Sequence, residues 1–239
     1  MLNSLLTMPK QPFSSTGPLA VVAAAILLSA CAPQRPVVLA PAVDPEQLAL
    51  ALEDHTTIEQ PIRVVFGWQL NEGGVRVSGR GVARVEPPYK ARLDLFLGNG
   101  ETVVRAALVN GELRLPPGAP RNILPPADLM WGVLGVFLPQ RGVTLVGADR
   151  LEGEDLQLRY EYDDGRQLHY RVTDGRIGTM ELFQGTHVVE RVELEMADDD
   201  RYPVEATYRN MAAFRELKLA RESVERVEPF PPDTWNVLR

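Results

Sequence analysis

The chain of 239 residues is poor in the groups that carry most enzyme chemistry. It has one cysteine, Cys31, which rules out an intramolecular disulfide and a multi-thiolate metal site. Its three histidines, His55, His169 and His187, are far apart and form no His-x-x-x-His pair, so a zinc hydrolase lacks a ligand set. Beyond residue 30 the serines are Ser78 and Ser223, and neither sits in a Gly-x-Ser-x-Gly turn. Gly79-Arg80-Gly81 and Gly98-Asn99-Gly100 lack the third glycine and the following helix of a phosphate loop. Lys and Arg number 25 against 32 Asp and Glu, a formal charge of -7, and they are scattered, which argues against a nucleic-acid surface. No apolar run is long enough to stay in a bilayer as a spanning helix. These absences point to binding and away from catalysis, with no metal and no cofactor expected. Asp198-Asp199-Asp200 reads as a solvated turn, a weak cation site being the alternative.

The N-terminus supplies what the composition withholds. Leu19 to Leu28, LAVVAAAILL, has the length of a signal-peptide core, with Lys10 the only charge before it. It closes on Leu28-Ser29-Ala30-Cys31, which resembles the bacterial lipobox. That resemblance implies a lipoprotein signal peptide over 1–30. It also implies a diacylglycerol on the Cys31 sulfur and an acyl chain on its new amino terminus. Three chains exceed the two signals needed for stable anchoring. By resemblance to envelope lipoproteins, Ala32 after the cysteine favours the periplasmic face of the outer membrane. The Pro-rich APQRPVVLAPA from Ala32 to Ala42 reads as an extended tether, making 31–43 the anchor and its linker.

Asp44-Pro45-Glu46-Gln47 combines a capping Asp, a Pro at the first helical position and a Gln completing a capping box. A short amphipathic helix over Pro45 to Thr56 follows, presenting Leu48, Ala51, Leu52 and His55. After Pro61 the apolar period becomes two. Val75, Val77, Gly79, Gly81, Ala83 and Val85 share one face, and Leu156, Leu158, Tyr160 and Tyr162 another. Turn dipeptides recur between such runs, as at Asn99-Gly100, Asn110-Gly111, Asp164-Gly165 and Asp174-Gly175. Connections this short exclude crossover helices. About ten or eleven antiparallel strands, each hairpinned to the next, form a mainly β (α+β) meander that curls toward a barrel. Residues 123–139, bounded by prolines and nearly uncharged, are long enough for three helical turns and would cap the open mouth. The inner face could enclose a cavity or fill a dry core; periodicity does not separate the two.

The stretches Gly79 to Val85, Ala91 to Gly100 and Val103 to Leu115, with the 134–139 segment and the Tyr160/Asp164-Gly165/Tyr170 hairpin, resemble the LolA/LolB-like lipoprotein-localisation family, most closely its outer-membrane receptor LolB. The resemblance implies an incomplete antiparallel β-barrel with a small helical lid over residues 44–226, followed by a Pro-rich tail at 227–239. It implies acceptance of lipoproteins from a periplasmic LolA-like carrier, by a monomer that binds cargo acyl chains and inserts them into the membrane. Candidate cavity residues are then Phe66, Trp68, Leu93, Leu95, Val104, Ala106 and Leu108. Leu158 and Tyr160 join them from later strands, and Trp131, Leu134 and Phe137 from the lid. Leu97, before Gly98, takes the place of the family's membrane-inserting leucine, although a strand-end leucine packed on the sheet edge fits the same pattern. Trp235 could hold the tail or meet the bilayer. Two other readings stay open: a non-transporting envelope lipoprotein that binds another lipid or scaffolds a partner, and an enzyme using carboxylates in the barrel mouth.

Overall fold

The computed structural model describes residues 38–41, 44–120, 123–198 and 200–238. The signal-peptide expectation for 1–30 and the lipidation expectation for Cys31 lie outside the described residues.

Strand β1 is Val38–Pro41 and helix α1 is Pro45–Thr56. Strands β2 (Ile62–Glu72), β3 (Val75–Glu86), β4 (Lys90–Leu97), β5 (Thr102–Val109) and β6 (Glu112–Arg114) form a first meander. Helix α2, Ala127–Val133, crosses to a second one. This comprises β7 (Val143–Leu151), β8 (Leu156–Tyr162), β9 (Gln167–Thr173), β10 (Arg176–Gln184), β11 (His187–Glu195), β12 (Glu205–Asn210) and β13 (Arg215–Arg226). All pairings are antiparallel, in one 13-stranded sheet of order β1-β7-β8-β9-β10-β11-β12-β13-β2-β3-β4-β5-β6. Its edges are β1 and β6, so the barrel is open.

Two details differ from a single run of ten or eleven hairpins. The last strand, β13, pairs with β2 along its whole length, so the two meanders join side by side at Arg215↔Glu72 through Arg226↔Ile62. Val38–Pro41, read as tether, is paired to β7. A proline is tolerated there because an edge strand has no second neighbour to bond.

Helix α1 has the expected bounds. The Asp44 carboxylate accepts hydrogen bonds from the Glu46 and Gln47 amides at 3.0 and 3.4 Å, meeting two donors that the helix start leaves free. Its inward face is Leu48, Ala49, Leu52 and Thr56, whereas Ala51 and His55 are exposed. Thr56 is buried with both its polar roles filled: its hydroxyl donates to the Leu52 carbonyl at 2.9 Å and accepts from the Phe137 amide at 2.9 Å. This bond fixes the helix to the segment that follows α2.

The tail runs back over the convex face and buries Trp235 and Val237. Arg92 donates to the Thr234 carbonyl at 2.8 Å, the Phe230 amide donates to Glu86 at 2.9 Å, and Lys90 lies 5.7 Å from the Trp235 ring. Beside it Asp94, 2% exposed, is held by Arg84 at 2.6 Å and Arg92 at 2.9 Å. Of the two roles open to Trp235, the structure shows the first, holding the tail.

His169 on β9 makes stability depend on pH. Burial, aided by the nearby Arg159 charge, pushes its imidazole from 6.5 down to about 4, with Asp149 opposing. Below 6.5 the unfolded chain binds a proton that the folded chain refuses. Its contribution is therefore complete above 6.5 and is lost as pH falls toward 4. We expect His169→Gln to remove on the order of 1–2 kcal/mol of the acid sensitivity between pH 7 and pH 4.5, allowing for partial solvent contact. Urea unfolding at both pH values measures it; equal acid sensitivity in the two proteins would refute it.

Candidate functional site

Alternation along the strands sends one set of side chains to the concave face. On β2 these are Val64, Phe66, Trp68 and Leu70; on β4, Ala91, Leu93 and Leu95; on β5, Val104, Ala106 and Leu108. Helix α2 lies over this face with Leu129, Met130, Trp131 and Val133 all buried. It is shorter than the three turns expected from residues 123–139. Pro125 and Pro126 delay its start, and a Schellman motif ends it at Gly135: the Val136 amide donates to the Trp131 carbonyl at 3.0 Å, and Gly135 to Gly132 at 2.7 Å. Gly135 has φ +76, and a β-carbon there would stand 2.8 Å from Pro203. Glycine is thus required twice over, and the lid's end rests on the β11–β12 connection.

Between α2 and the sheet lies an apolar cleft. Its sheet wall is Val64 and Phe66 of β2, Ala83 of β3, Ala91 and Leu93 of β4, and Ala106 and Leu108 of β5. Ala206 and Leu219 close it from β12 and β13, and Met130, Val133 and Leu134 roof it. Four of these wall residues are alanine, so the hollow arises where the concave face carries small side chains. Its free volume is about 50 Å³, below the range of about 300–1,000 Å³ usual for small-molecule pockets. It is a narrow slot beneath α2. Arg221 and Pro203 stand at its margin. The Arg221 guanidinium is held by Asp200 and donates to the Tyr202 carbonyl at 2.9 Å. The Asp200 carboxyl is lowered by the Arg221 hydrogen bond, so the pair stays charged at neutral pH. In Asp198-Asp199-Asp200, Asp200 thus ties the loop to β13, and Asp199 lies outside the described residues. No cluster of His, Cys, Asp and Glu suited to a metal occurs among the described residues.

The structure brings Phe66, Leu93, Ala106, Leu108 and Leu134 together at the cleft. Trp68, Leu95, Val104, Trp131, Phe137, Leu158 and Tyr160 do not line it and belong to the packed core. Trp68 is pinned where its indole N–H donates to the Arg80 and Phe96 carbonyls, both at 3.1 Å. Phe137, Tyr160 and Tyr170 fill the other half of the barrel, their ring centres 4.9 to 6.2 Å apart. Burial pushes the Tyr160 phenol up to about 12, so these rings are neutral packing groups. Sequence reasoning passed over Val64, Ala83, Ala91, Ala206 and Leu219. Their inward parity was legible, but which half of the barrel α1 and the Phe137 segment would fill was not.

Leu97 is not the exposed leucine that the resemblance implies. It is half-buried against the core, and its amide and carbonyl close the β4–β5 turn by bonding Glu101 and Gly100 at 2.8 and 2.9 Å. The strongly exposed apolar tip is elsewhere: Phe214, between β12 and β13, is 85% exposed.

No protein-family model matches the chain, and no curated protein matches its sequence. Solved structures share its fold. A LolA superfamily protein from Nitrosomonas europaea superposes with a TM-score of 0.53 at 10% identity, covering 82% of this chain and 98% of that one. A putative outer membrane lipoprotein-sorting protein domain from Vibrio parahaemolyticus gives 0.54 at 6% identity, covering 81% and 97%. At these identities the likeness establishes the open-barrel fold, and it extends over about four fifths of this chain and nearly the whole of each neighbour.

Proposed function

We propose that the protein is a lipid-anchored outer-membrane acceptor that takes the acyl chains of lipoproteins from a periplasmic carrier into the cleft beneath α2 and passes the cargo to the membrane. The observation that carries this reading is the cleft itself, an apolar slot walled by alanines and roofed by a seven-residue helix. A fatty chain left in water keeps on the order of 10 kcal/mol of apolar surface unsatisfied, so passage across an aqueous space needs such shelters at both ends. Here α2 rises from its seat on β10–β12 to admit a chain, and the apolar core beneath it closes again when the chain departs. Transfer then runs down a gradient of affinity, with no covalent step. The lipobox-like Leu28 to Cys31 supports the anchor.

The experiment is transfer of a triacylated lipoprotein from a soluble carrier to vesicles bearing this protein. The reading expects cargo to reach the vesicles only when the protein is present. Equal transfer to bare vesicles would remove its basis.

A further inference from the structure

On the convex face of the first meander, one register row runs Arg63↔Arg84, Arg84↔Arg92, Arg92↔Ala107 and Ala107↔Arg114, from β2 to β6. Arg105 stands in the next row, opposite Asp94. Like charges set directly opposite on neighbouring strands repel, and here three arginines follow one another. The chain has acid to spare, with 32 Asp and Glu against 25 Lys and Arg. The second meander uses it: Arg191 is held by Glu181 and Glu193, and Arg209 by Glu193 and Glu216, so two arginines share three carboxylates. A surplus of arginine is therefore not something the outer surface of this sheet requires.

In the first meander the ratio is reversed. Arg63 pairs with Glu225 and Arg114 with Glu112, which leaves Asp94 alone for Arg84, Arg92 and Arg105. Asp94 is already saturated. Arg92 grips it through Nε at 2.9 Å and Nη2 at 3.0 Å, and spends Nη1 on the Thr234 carbonyl at 2.8 Å. Arg84 gives Asp94 one of its five N–H donors, at 2.6 Å. The Arg105 Nε stays 4.0 Å away, too far for a hydrogen bond, and its side chain is 45% exposed. The tail carboxylates Glu228 and Asp233 are exposed and pair with none of the five arginines among the described residues. A carboxylate buried to 2% thus fixes two guanidiniums and leaves N–H groups of Arg84 and Arg105 pointing to no acceptor of the chain.

We infer that the convex face between β3 and β5 is a binding site for a phosphate group, with Arg84 and Arg105 as the residues that hold it and Asp94 as the buried bracket that sets them. The two arginines stand on the strands either side of β4, so their backbones are roughly 10 Å apart while both guanidiniums reach toward Asp94. An anion between them meets two guanidinium forks. A carboxylate has two acceptor oxygens in one plane and engages one fork, whereas a tetrahedral phosphate offers three or more and takes N–H groups from both. Arginine, with its fixed planar fork, suits that task better than lysine. Five arginines to three carboxylates leave positive charge that a phosphate dianion neutralises. The site is on the face opposite the cleft, and phosphate binding there neither needs the cleft nor occupies it.

The test titrates the full chain, in nonionic detergent at neutral pH and fixed ionic strength, by calorimetry. The probes are pyrophosphate and glycerophosphoglycerol, the latter being the head group of phosphatidylglycerol without its acyl chains. Arg105→Gln lowers the affinity at least about tenfold, the cost of a lost charged hydrogen bond. Arg105→Lys, which keeps the charge without the fork, restores only part of that loss. Arg166→Gln, at a surface arginine paired with Asp164 beyond β8, leaves the affinity unchanged. Binding of pyrophosphate alone assigns the site to a soluble phosphate, and comparable binding of the glycerophosphodiester assigns it to a lipid head group. No measurable binding of either, or equal losses with Arg105→Gln and Arg166→Gln, overturns the site. A polyglutamate peptide that binds more tightly than both phosphates makes this face a contact for an acidic protein and also overturns it.

Discussion

With Ala106→Leu, the protein folds but loses most of its affinity for a fatty-acyl probe. Ala106 is 2% exposed on the sheet wall, facing the roof residues across the slot. Three added carbons there occupy the hollow between the sheet and α2. Overpacking costs about 1–3 kcal/mol, which a domain of ordinary stability survives. The space removed is the space an acyl chain needs, at about 0.8 kcal/mol per methylene no longer buried. Excluding two or three methylenes lowers affinity by at least about tenfold. Titration of a fluorescent fatty acid measures the loss, and urea unfolding shows whether the fold is kept. Ala51→Leu, on the exposed side of α1, is the control and leaves both unchanged. Unaltered probe binding by folded Ala106→Leu protein would mean that the ligand lies elsewhere.

The largest effect on stability is expected at Gly79→Val. Gly79 lies where β3 pairs with both β2 and β4, opposite Trp68 and Leu97. A β-carbon there would stand 1.9 Å from the Phe96 carbonyl oxygen and 3.0 Å from the Trp68 indole nitrogen. The first contact is with backbone, which cannot turn aside as a side chain can. Relief requires parting β3 from β4 or expelling the indole, and expulsion breaks both of its hydrogen bonds. Overpacking and orphaned buried groups together cost about 3 kcal/mol or more, a large share of the total for a domain. Gly98→Ala, at a turn with nothing within 4 Å, should change stability by no more than about 0.5 kcal/mol. Chemical denaturation of the two variants gives the comparison, and similar midpoints would contradict the packing described for Trp68.

These two positions also show how far the sequence could be read. Strand and turn were legible because their causes are local. Asp44 with Pro45 set the start of α1, and Asn110-Gly111 and Asp174-Gly175 have the positive φ at both residues that tight hairpins need. The open antiparallel barrel with few helices follows from those signals and is what the structure has. Pairing between β13 and β2 was not legible, since strands more than 140 residues apart leave no local mark of their contact. The same limit applies to the cleft. Phe66 and Tyr160 both point inward, yet one borders open space and the other is packed against Phe137 and Tyr170. What decides between them is where α1, α2 and the Thr56–Phe137 hydrogen bond place the filling segments. The exposure of Leu97 was not legible for a related reason: its neighbours Gly98 and Asn99 mark a turn, but whether a turn's apolar residue folds back or stands out depends on the rim beside it.

The most direct measurement is photocrosslinking with a fatty acid that carries a diazirine along its chain, followed by mass spectrometry of the labelled peptides. An acyl chain held beneath α2 places its adducts on Phe66, Met130 and Leu219, which face the slot from three different elements. Adducts confined to the convex face, or to peptides of the tyrosine-filled half, would contradict a cleft that receives acyl chains.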